Sequence, residues 1–134
     1  MSSASVVRKD QRAVVPDDFL YFSGDDFTTL EFIELGGHGV VTVSGNVVPN
    51  AVAELCREAS AGNMSRARQL DDRLQALNSA LFVESNPIPL KWALQQMGLI
   101  SEGIRLPLTP FAGQFHAQML DALKMAGVSL EGSA

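Results

Sequence analysis

The sequence predicts an α/β fold built on a strand–helix–strand unit near its amino end. Two short runs of apolar, β-prone residues lie at positions 19–22 and 40–43. Apolar runs of this length are typical of parallel strands that are buried on both faces. Between the two runs, residues 26–35 have the 3.6-residue periodicity of an amphipathic helix, and Gly36 and Gly37 follow it as a helix end.

The helix between the two strands is predicted to bury Phe27, Leu30 and Ile33 on one side. Four further helices are expected after it, beginning near positions 49, 64, 87 and 111 and separated by glycine or proline. The second has an apolar stripe at positions 67, 70, 74, 77 and 81, and the last is expected to face inward at positions 115, 119, 122, 123 and 126. The first of these places Cys56 on its apolar face, which predicts a buried thiol rather than a reactive one. His116 lies one place off the apolar stripe of the last helix and is expected at the surface.

Small and hydrogen-bonding residues follow each predicted strand. Ser23, Gly24, Asp25 and Asp26 come after the first strand, and positions 44–46 read Ser-Gly-Asn after the second. The carboxyl ends of parallel strands are where α/β proteins bind ligands, so a site is expected near Gly24 and residues 41–46. A structural interpretation stays open beside it, in which Asp25 or Asp26 only caps the helix and Gly24 only allows a tight turn.

Composition limits the classes of function. A chain of 134 residues with 46 % hydrophobic and 19 % charged residues fits one globular domain. The net charge of −5 without a basic cluster argues against nucleic acid or a membrane surface as a partner. One cysteine and two histidines predict no disulfide within the chain, no metal site and no cofactor. With no signal peptide and no long apolar run, a cytoplasmic location is expected.

Several stretches of the sequence resemble one family, the dihydrodipicolinate synthases of the N-acetylneuraminate lyase superfamily. The stretches occur in the family's order between residues 16 and 127. They read Phe-Ser-Gly-Asp-Asp at 22–26, Leu-Gly-Gly-His-Gly-Val-Val-Thr-Val at 35–43, Asn-Val at 46–47, Leu-Phe-Val-Glu at 81–84, Asn-Pro-Ile-Pro-Leu-Lys-Trp-Ala at 86–93, Met-Gly-Leu at 97–99 and Arg-Leu-Pro-Leu-Thr-Pro at 105–110.

The resemblance implies a carboxyl-terminal fragment of a TIM (β/α)8 barrel, with two parallel strands followed by a mostly α-helical tail. A complete barrel of this kind needs about 250 residues. Residues 1–15 are interpreted as the end of a helix or a leader, residues 16–62 as the last two β/α units, and residues 63–134 as the carboxyl-terminal helical region. The family's first six strands have no counterpart in the sequence.

Members of the family condense pyruvate with aspartate semialdehyde through a Schiff base on a lysine at the end of strand six, as part of lysine biosynthesis. Lys9 is rejected as that lysine, because residues 10–18 are too few for a parallel crossover to a strand at Phe19. Lys91 is rejected as well, because the resemblance places it within a helix away from the strand ends. No catalytic residue is therefore assigned, and the isolated chain is predicted to be inactive.

The resemblance assigns two substrate-binding positions. Gly24 corresponds to a glycine that lines the pyruvate-derived adduct, and Val41 to a position whose backbone carbonyl faces the reactive lysine. Asp25 and Asp26 are expected at the rim, and Tyr21 matches no catalytic tyrosine. Phe27 stands where the sialic-acid lyases carry an acid, which favours the synthase branch.

Three hypotheses follow from these observations. The first is a part of a dihydrodipicolinate synthase that needs the missing amino-terminal part, with pyruvate and aspartate semialdehyde as substrates of the complete enzyme. The second is a non-catalytic remnant that self-associates through exposed strand edges, so that a homo-oligomer forms. The third is a sugar-acid aldolase of the same superfamily.

Overall fold

A computed structural model describes residues 13–130 of the chain. Two short parallel strands are followed by a bundle of helices, and a first helix lies between the strands. The elements are β1 (Phe22–Ser23), α1 (Thr29–Glu34), β2 (Gly39–Val40), α2 (Pro49–Ser60), α3 (Met64–Leu81), α4 (Ile88–Gln96) and α5 (His116–Met125). Single 3₁₀ turns at Asp26–Thr28, Ser44–Asn46 and Gly113–Phe115 precede α1, α2 and α5.

The two strands are parallel, as predicted, but each is displaced and shortened relative to its apolar run. Phe22 is in register with Gly39, and Ser23 with Val40. On the amino-terminal side, the backbone N–H of Tyr21 donates to the Nδ1 atom of His38 at 2.9 Å rather than to a backbone carbonyl. Backbone hydrogen bonds extend the pairing at each end, from the His38 N–H to the Tyr21 carbonyl and from the Val41 N–H to the Ser23 carbonyl, both at 2.8 Å. The prediction of strands at 19–22 and 40–43 is wrong by one to three residues at each end.

The sheet is covered on one face only. Tyr21 and Ser23 are buried against the rest of the chain, whereas Leu20 and Phe22 are more than half exposed and Val41 is 74 % exposed. Side chains along a strand alternate between faces, so the apolar side chains at 20 and 22 share the open face. The prediction of strands buried on both faces is therefore wrong for the chain as it stands.

The segment after β1 starts as a 3₁₀ turn and becomes α-helical only at Thr29. Leu30 and Ile33 are buried as predicted, but Phe27 is 39 % exposed and contacts the ring of Phe82 at a centroid distance of 5.8 Å. The tighter 3₁₀ turn rotates position 27 away from the α-helical stripe, which explains the error at Phe27. Gly36, with φ 85°, ends the helix in the left-handed conformation.

Helix α3 is the central element of the bundle, because its apolar face belongs to both hydrophobic clusters. Its amino-terminal half packs with residues of α1 and α2, and its carboxyl-terminal half packs with α4 and α5. The predicted stripe is confirmed, since all five of its members are buried: Ala67, Leu70, Leu74, Leu77 and Leu81. Two ion pairs join α3 to the same neighbouring helices, from Arg66 to Glu54 of α2 at 2.8 Å and from Arg68 to Glu34 of α1.

Three of the five residues predicted to face inward from α5, Met119, Ala122 and Leu123, are buried. The other two, Phe115 and Ala126, are half-buried at the two ends of the helix and pack against the same cluster. The residues between α4 and α5 contain no further helix or strand up to the 3₁₀ turn at 113. Within residues 13–130, no helix is both long and apolar enough to cross a bilayer.

Candidate functional site

The carboxyl ends of the two strands are joined by the side chain of Asp26. The residue is 95 % buried, and its carboxylate accepts hydrogen bonds from the Thr42 hydroxyl, from the backbone N–H of Val43 at 2.8 Å and from that of Ser44 at 3.2 Å. A buried carboxylate is stable when hydrogen bonds of this kind replace its hydration. Asp26 therefore holds the loop after β2 against the loop after β1.

The turn after β2 is close-packed around the same hydroxyl. The Thr42 Oγ1 atom also accepts from the backbone N–H of Gly45 at 2.9 Å. A Cβ atom at position 45 would lie 2.3 Å from the Thr42 methyl group, so only glycine fits there. The Ser-Gly-Asn segment predicted to be part of a site thus forms a tight 3₁₀ turn that follows Val41.

The two aspartates after β1 have different roles. Asp25 is exposed and caps the following turn, accepting from the Phe27 N–H at 3.2 Å and from the Thr28 hydroxyl at 2.7 Å. The capping interpretation is therefore confirmed for Asp25. The expectation that Asp26 lies at the rim is wrong, because its carboxylate points inward to residues 42–44.

Gly24 and Val41 lie side by side, one residue beyond the register pair formed by Ser23 and Val40. The Val41 N–H donates to the Ser23 carbonyl at 2.8 Å, which carries the strand pairing one step further. Both residues are exposed, and a Cβ atom placed on Gly24 would meet no atom within 4 Å. The two positions assigned to substrate binding thus form an exposed step, a pair of neighbouring residues at the carboxyl-terminal edge of the sheet.

Two buried polar groups without a hydrogen-bond partner in the described part of the chain were not expected from the sequence. Asn78 of α3 is 2 % exposed, and its Nδ2 atom donates to the Asp26 carbonyl at 3.4 Å, while its Oδ1 atom has no partner within residues 13–130. The Tyr21 hydroxyl is likewise buried without a partner in the described part of the chain. Asn78 interrupts the leucine stripe of α3, and that interruption was the available sequence signal.

The remaining candidates lie elsewhere. Lys91 is half-buried within α4, as its assignment to a helix predicted, and Lys9 falls outside the described residues. His116 is half-buried rather than at the surface, since its ring stacks on Trp92 at 4.3 Å. No cluster of metal-binding side chains occurs within residues 13–130.

Cys56 lies at the edge of the core, half-buried and packed against the cluster of α1, α2 and α3. Burial raises the pKa of its thiol, and the negative charge of Asp26 raises that pKa further. The thiol is consequently poorer in thiolate than a free cysteine.

Two adjacent parallel strands joined by a helix, with their following loops meeting at one edge, form a βαβ unit of the kind found in parallel α/β proteins, (β/α)8 barrels among them. The comparisons with known proteins identify which barrel. The sequence profile of the Dihydrodipicolinate synthetase family matches residues 4–126, and the chain belongs to this family.

Individual relatives agree with the profile. The chain is 50 % identical over 113 residues to the 4-hydroxy-tetrahydrodipicolinate synthase of Azoarcus sp., covering 84 % of this chain and 39 % of that protein. The structure superposes on the dihydrodipicolinate synthase of Acinetobacter baumannii, solved in complex with pyruvate, with a TM-score of 0.84 and 40 % identity over 94 % of this chain and 42 % of that one. The synthase of Aquifex aeolicus gives a TM-score of 0.85 at 36 % identity, over 96 % of this chain and 42 % of the other.

The chain thus spans about two fifths of the length of the relatives that it matches. The fold expected from the resemblance, a carboxyl-terminal part of a TIM barrel with a helical tail, is confirmed by this superposition.

Proposed function

We propose that this chain forms the strand-seven and strand-eight wall of a 4-hydroxy-tetrahydrodipicolinate synthase, in which pyruvate condenses with aspartate semialdehyde. The observation that supports this most is the exposed step of Gly24 and Val41 at the strand ends, held in place by the buried Asp26 carboxylate in a chain of this family. In the assembled barrel, Gly24 leaves room for the pyruvate-derived adduct and the Val41 carbonyl faces the reactive lysine.

Among residues 13–130 the wall supplies no nucleophile of its own, and Lys9, outside them, was rejected on the short stretch of chain before the first predicted strand. Schiff-base formation needs an unprotonated lysine amine beside the keto acid, and the family takes that lysine from strand six. Lys91 and Lys124, the lysines among residues 13–130, lie in α4 and α5 rather than at the strand ends. The isolated chain is therefore inactive in condensation. The substrate site that begins at Gly24 and Val41 is completed only by the strands that carry the lysine.

The partner proposed for the open face of the sheet is the remaining part of a synthase barrel. Leu20, Phe22 and Val41 present apolar side chains to solvent there, and the outer edges of β1 and β2 are unpaired among residues 13–130. Burying these groups against further parallel strands removes them from water and extends the ladder.

Complementation tests this proposal. The chain would be mixed with the amino-terminal part of the Azoarcus enzyme, ending where the aligned region begins, and condensation of pyruvate with aspartate semialdehyde would be measured. Neither part alone is expected to be active, while the mixture is. A mixture that binds tightly and stays inactive would contradict the proposed role.

A substitution at Gly24 tests the proposed role of this residue in the assembled enzyme. Gly24→Val introduces a side chain that meets nothing within the chain itself but projects beside the proposed adduct. We expect at least about a tenfold loss of kcat/KM in the complemented enzyme, since misplacing a reacting group by about 1 Å has effects of that size or larger. Gly113→Val, at a second glycine with open space around it, serves as the control and should leave activity unchanged.

The exposed apolar face also supports a second function, self-association of a non-catalytic chain. In that case two copies cover each other's open sheet faces, and the chain sediments as a dimer or larger at micromolar concentration. A monomer in analytical ultracentrifugation would exclude this second function and leave the first intact.

The sugar-acid aldolase hypothesis changes only the substrate, and cleavage of sialic acid by the complemented enzyme would support it over the synthase.

A further inference from the structure

A second concave site lies between α4, α5 and the segment that connects them. It is a partly open cavity of about 220 Å³. None of the residues that line it belongs to the strands or to the loops that follow them, so it is separate from the site described above. The lining groups that carry the argument are Ile88, Lys91, Trp92, Glu102, Phe111 and His116.

Three rings form one wall of the cavity. The His116 imidazole stacks on the Trp92 indole at 4.3 Å and on the Phe111 ring at 5.4 Å, and the centroids of Trp92 and Phe111 are 5.3 Å apart. A ring nitrogen of His116 lies 3.2 Å from the Phe111 carbonyl oxygen, which fixes the ring's orientation. The wall is therefore held by contacts within the protein and does not have to be ordered when a ligand binds.

The segment that carries Phe111 is anchored to the residues that follow α3. The next residue, Ala112, donates its backbone N–H to a carboxylate oxygen of Glu84 at 2.9 Å. Phe111 itself is 93 % buried and belongs to the cluster formed with α3 and α5. An aromatic surface so supported offers dispersion and ring–ring contacts to a flat apolar group.

One charge of each sign lines the same cavity. Lys91 is half-buried in α4, and Glu102 is exposed on the connecting segment. The ion pairs of the described residues join α1, α2 and α3, so neither Lys91 nor Glu102 is paired with another side chain of residues 13–130. An ammonium and a carboxylate are therefore both available to a ligand beside an aromatic wall.

We propose that this cavity binds a small aromatic zwitterion, an α-amino acid with an aromatic side chain. The ring lies against Trp92 and Phe111, the ligand carboxylate pairs with Lys91, and its ammonium group pairs with Glu102. A cavity of about 150 Å³ holds a benzene ring, so one of this size has room for a ring with a short polar substituent. The pairing of both charges distinguishes this ligand class from a plain aromatic acid or amine.

Trp92 is the only tryptophan of the chain and reports on the cavity directly. The 134-residue chain would be titrated with L-phenylalanine while Trp92 emission is followed. A saturable change is expected at millimolar concentration. In the same assay, 3-phenylpropionate lacks the ammonium group and phenethylamine lacks the carboxylate, and each should bind about fivefold more weakly. L-Alanine, which has no ring, should produce no change.

Two substitutions test the charges separately. Lys91→Gln should weaken L-phenylalanine about fivefold and leave phenethylamine unaffected, whereas Glu102→Gln should weaken L-phenylalanine and leave 3-phenylpropionate unaffected. Lys124→Gln, on the exposed last turn of α5, is the matched control and should change nothing. A flat fluorescence titration, or three ligands binding equally well, would overturn the proposal. Since Glu102 is exposed, its variant and the ligand series decide the question even if Lys91→Gln does not fold.

Discussion

The carboxylate of Asp26 should be the largest single polar contribution to the stability of the two-stranded unit. Asp26→Ala removes acceptors from the Thr42 hydroxyl and from the N–H groups of Val43 and Ser44, the last of which is buried. Hydrogen bonds to a charged group contribute about 1.5–3 kcal/mol each, and part of that sum is offset because the alanine variant no longer has a charged group to bury. A net loss of about 3–4 kcal/mol in the free energy of unfolding is expected.

Urea unfolding followed by circular dichroism measures this loss. Asp25→Ala is the matched control, because Asp25 is the neighbouring residue of the same type and only caps the exposed turn. The control should cost about 1 kcal/mol. Asp26→Asn keeps an acceptor but brings an amide N–H against backbone donors, so it should fall between the two. If Asp26→Ala cost no more than Asp25→Ala, the carboxylate would not be what joins the two loops.

Three further predictions concern the helices. The raised pKa of Cys56 lowers its thiolate fraction, so a thiol reagent at neutral pH should modify it at least about tenfold more slowly in the folded chain than in urea, and equal rates would contradict its burial. Burial raises the pKa of Asp71 and outweighs the opposite effect of the hydrogen bond from Gln75. The folded state therefore favours the protonated acid. The stability that Asp71 contributes is present below its unfolded pKa and is lost as the pH rises through its folded pKa. Asp71→Asn should accordingly raise Tm at pH 7 and leave it unchanged at about pH 3. A rise in Tm at acid pH only would show that the pKa of Asp71 is shifted in the opposite direction. Leu77→Ala, at a fully buried position, should cost about 3 kcal/mol in urea unfolding, against under about 1 kcal/mol for Leu120→Ala on the outer face of α5.

The helical part of the fold could be predicted from the sequence because apolar periodicity and helix-ending glycines are local signals. The leucine stripe of α3 and the core face of α5 are both where the pattern placed them. Strand positions were less predictable, since a two-residue ladder depends on contacts distant in sequence. The donation from the Tyr21 N–H to the His38 ring and that from the Thr42 hydroxyl to the Asp26 carboxylate are contacts of that kind.

The structure brings Gly24 and Val41 side by side, while their assignment to substrate binding stays a prediction. Capping by Asp25 was among the interpretations of the sequence, but the inward role of Asp26 was not. Adjacent aspartates after a strand look alike in sequence, whereas the backbone sends Asp25 to solvent and Asp26 into the protein. The exposure of Phe22 and Val41 was also not predicted. An apolar sequence indicates that a strand can be buried, but it does not show which other segments pack against the strand. The division at residues 15/16 and 62/63 and the cytoplasmic location stay predictions.

The central claim is that the chain forms a wall of a Schiff-base pocket and contributes no reactive amine. Borohydride reduction in the presence of pyruvate, followed by mass spectrometry of the intact chain, tests it most directly. Without the complementing part we predict no adduct; with it, the reduced pyruvate adduct should be found only on the added part. A stable pyruvate adduct on Lys9, Lys91 or Lys124 of the isolated chain would contradict the account.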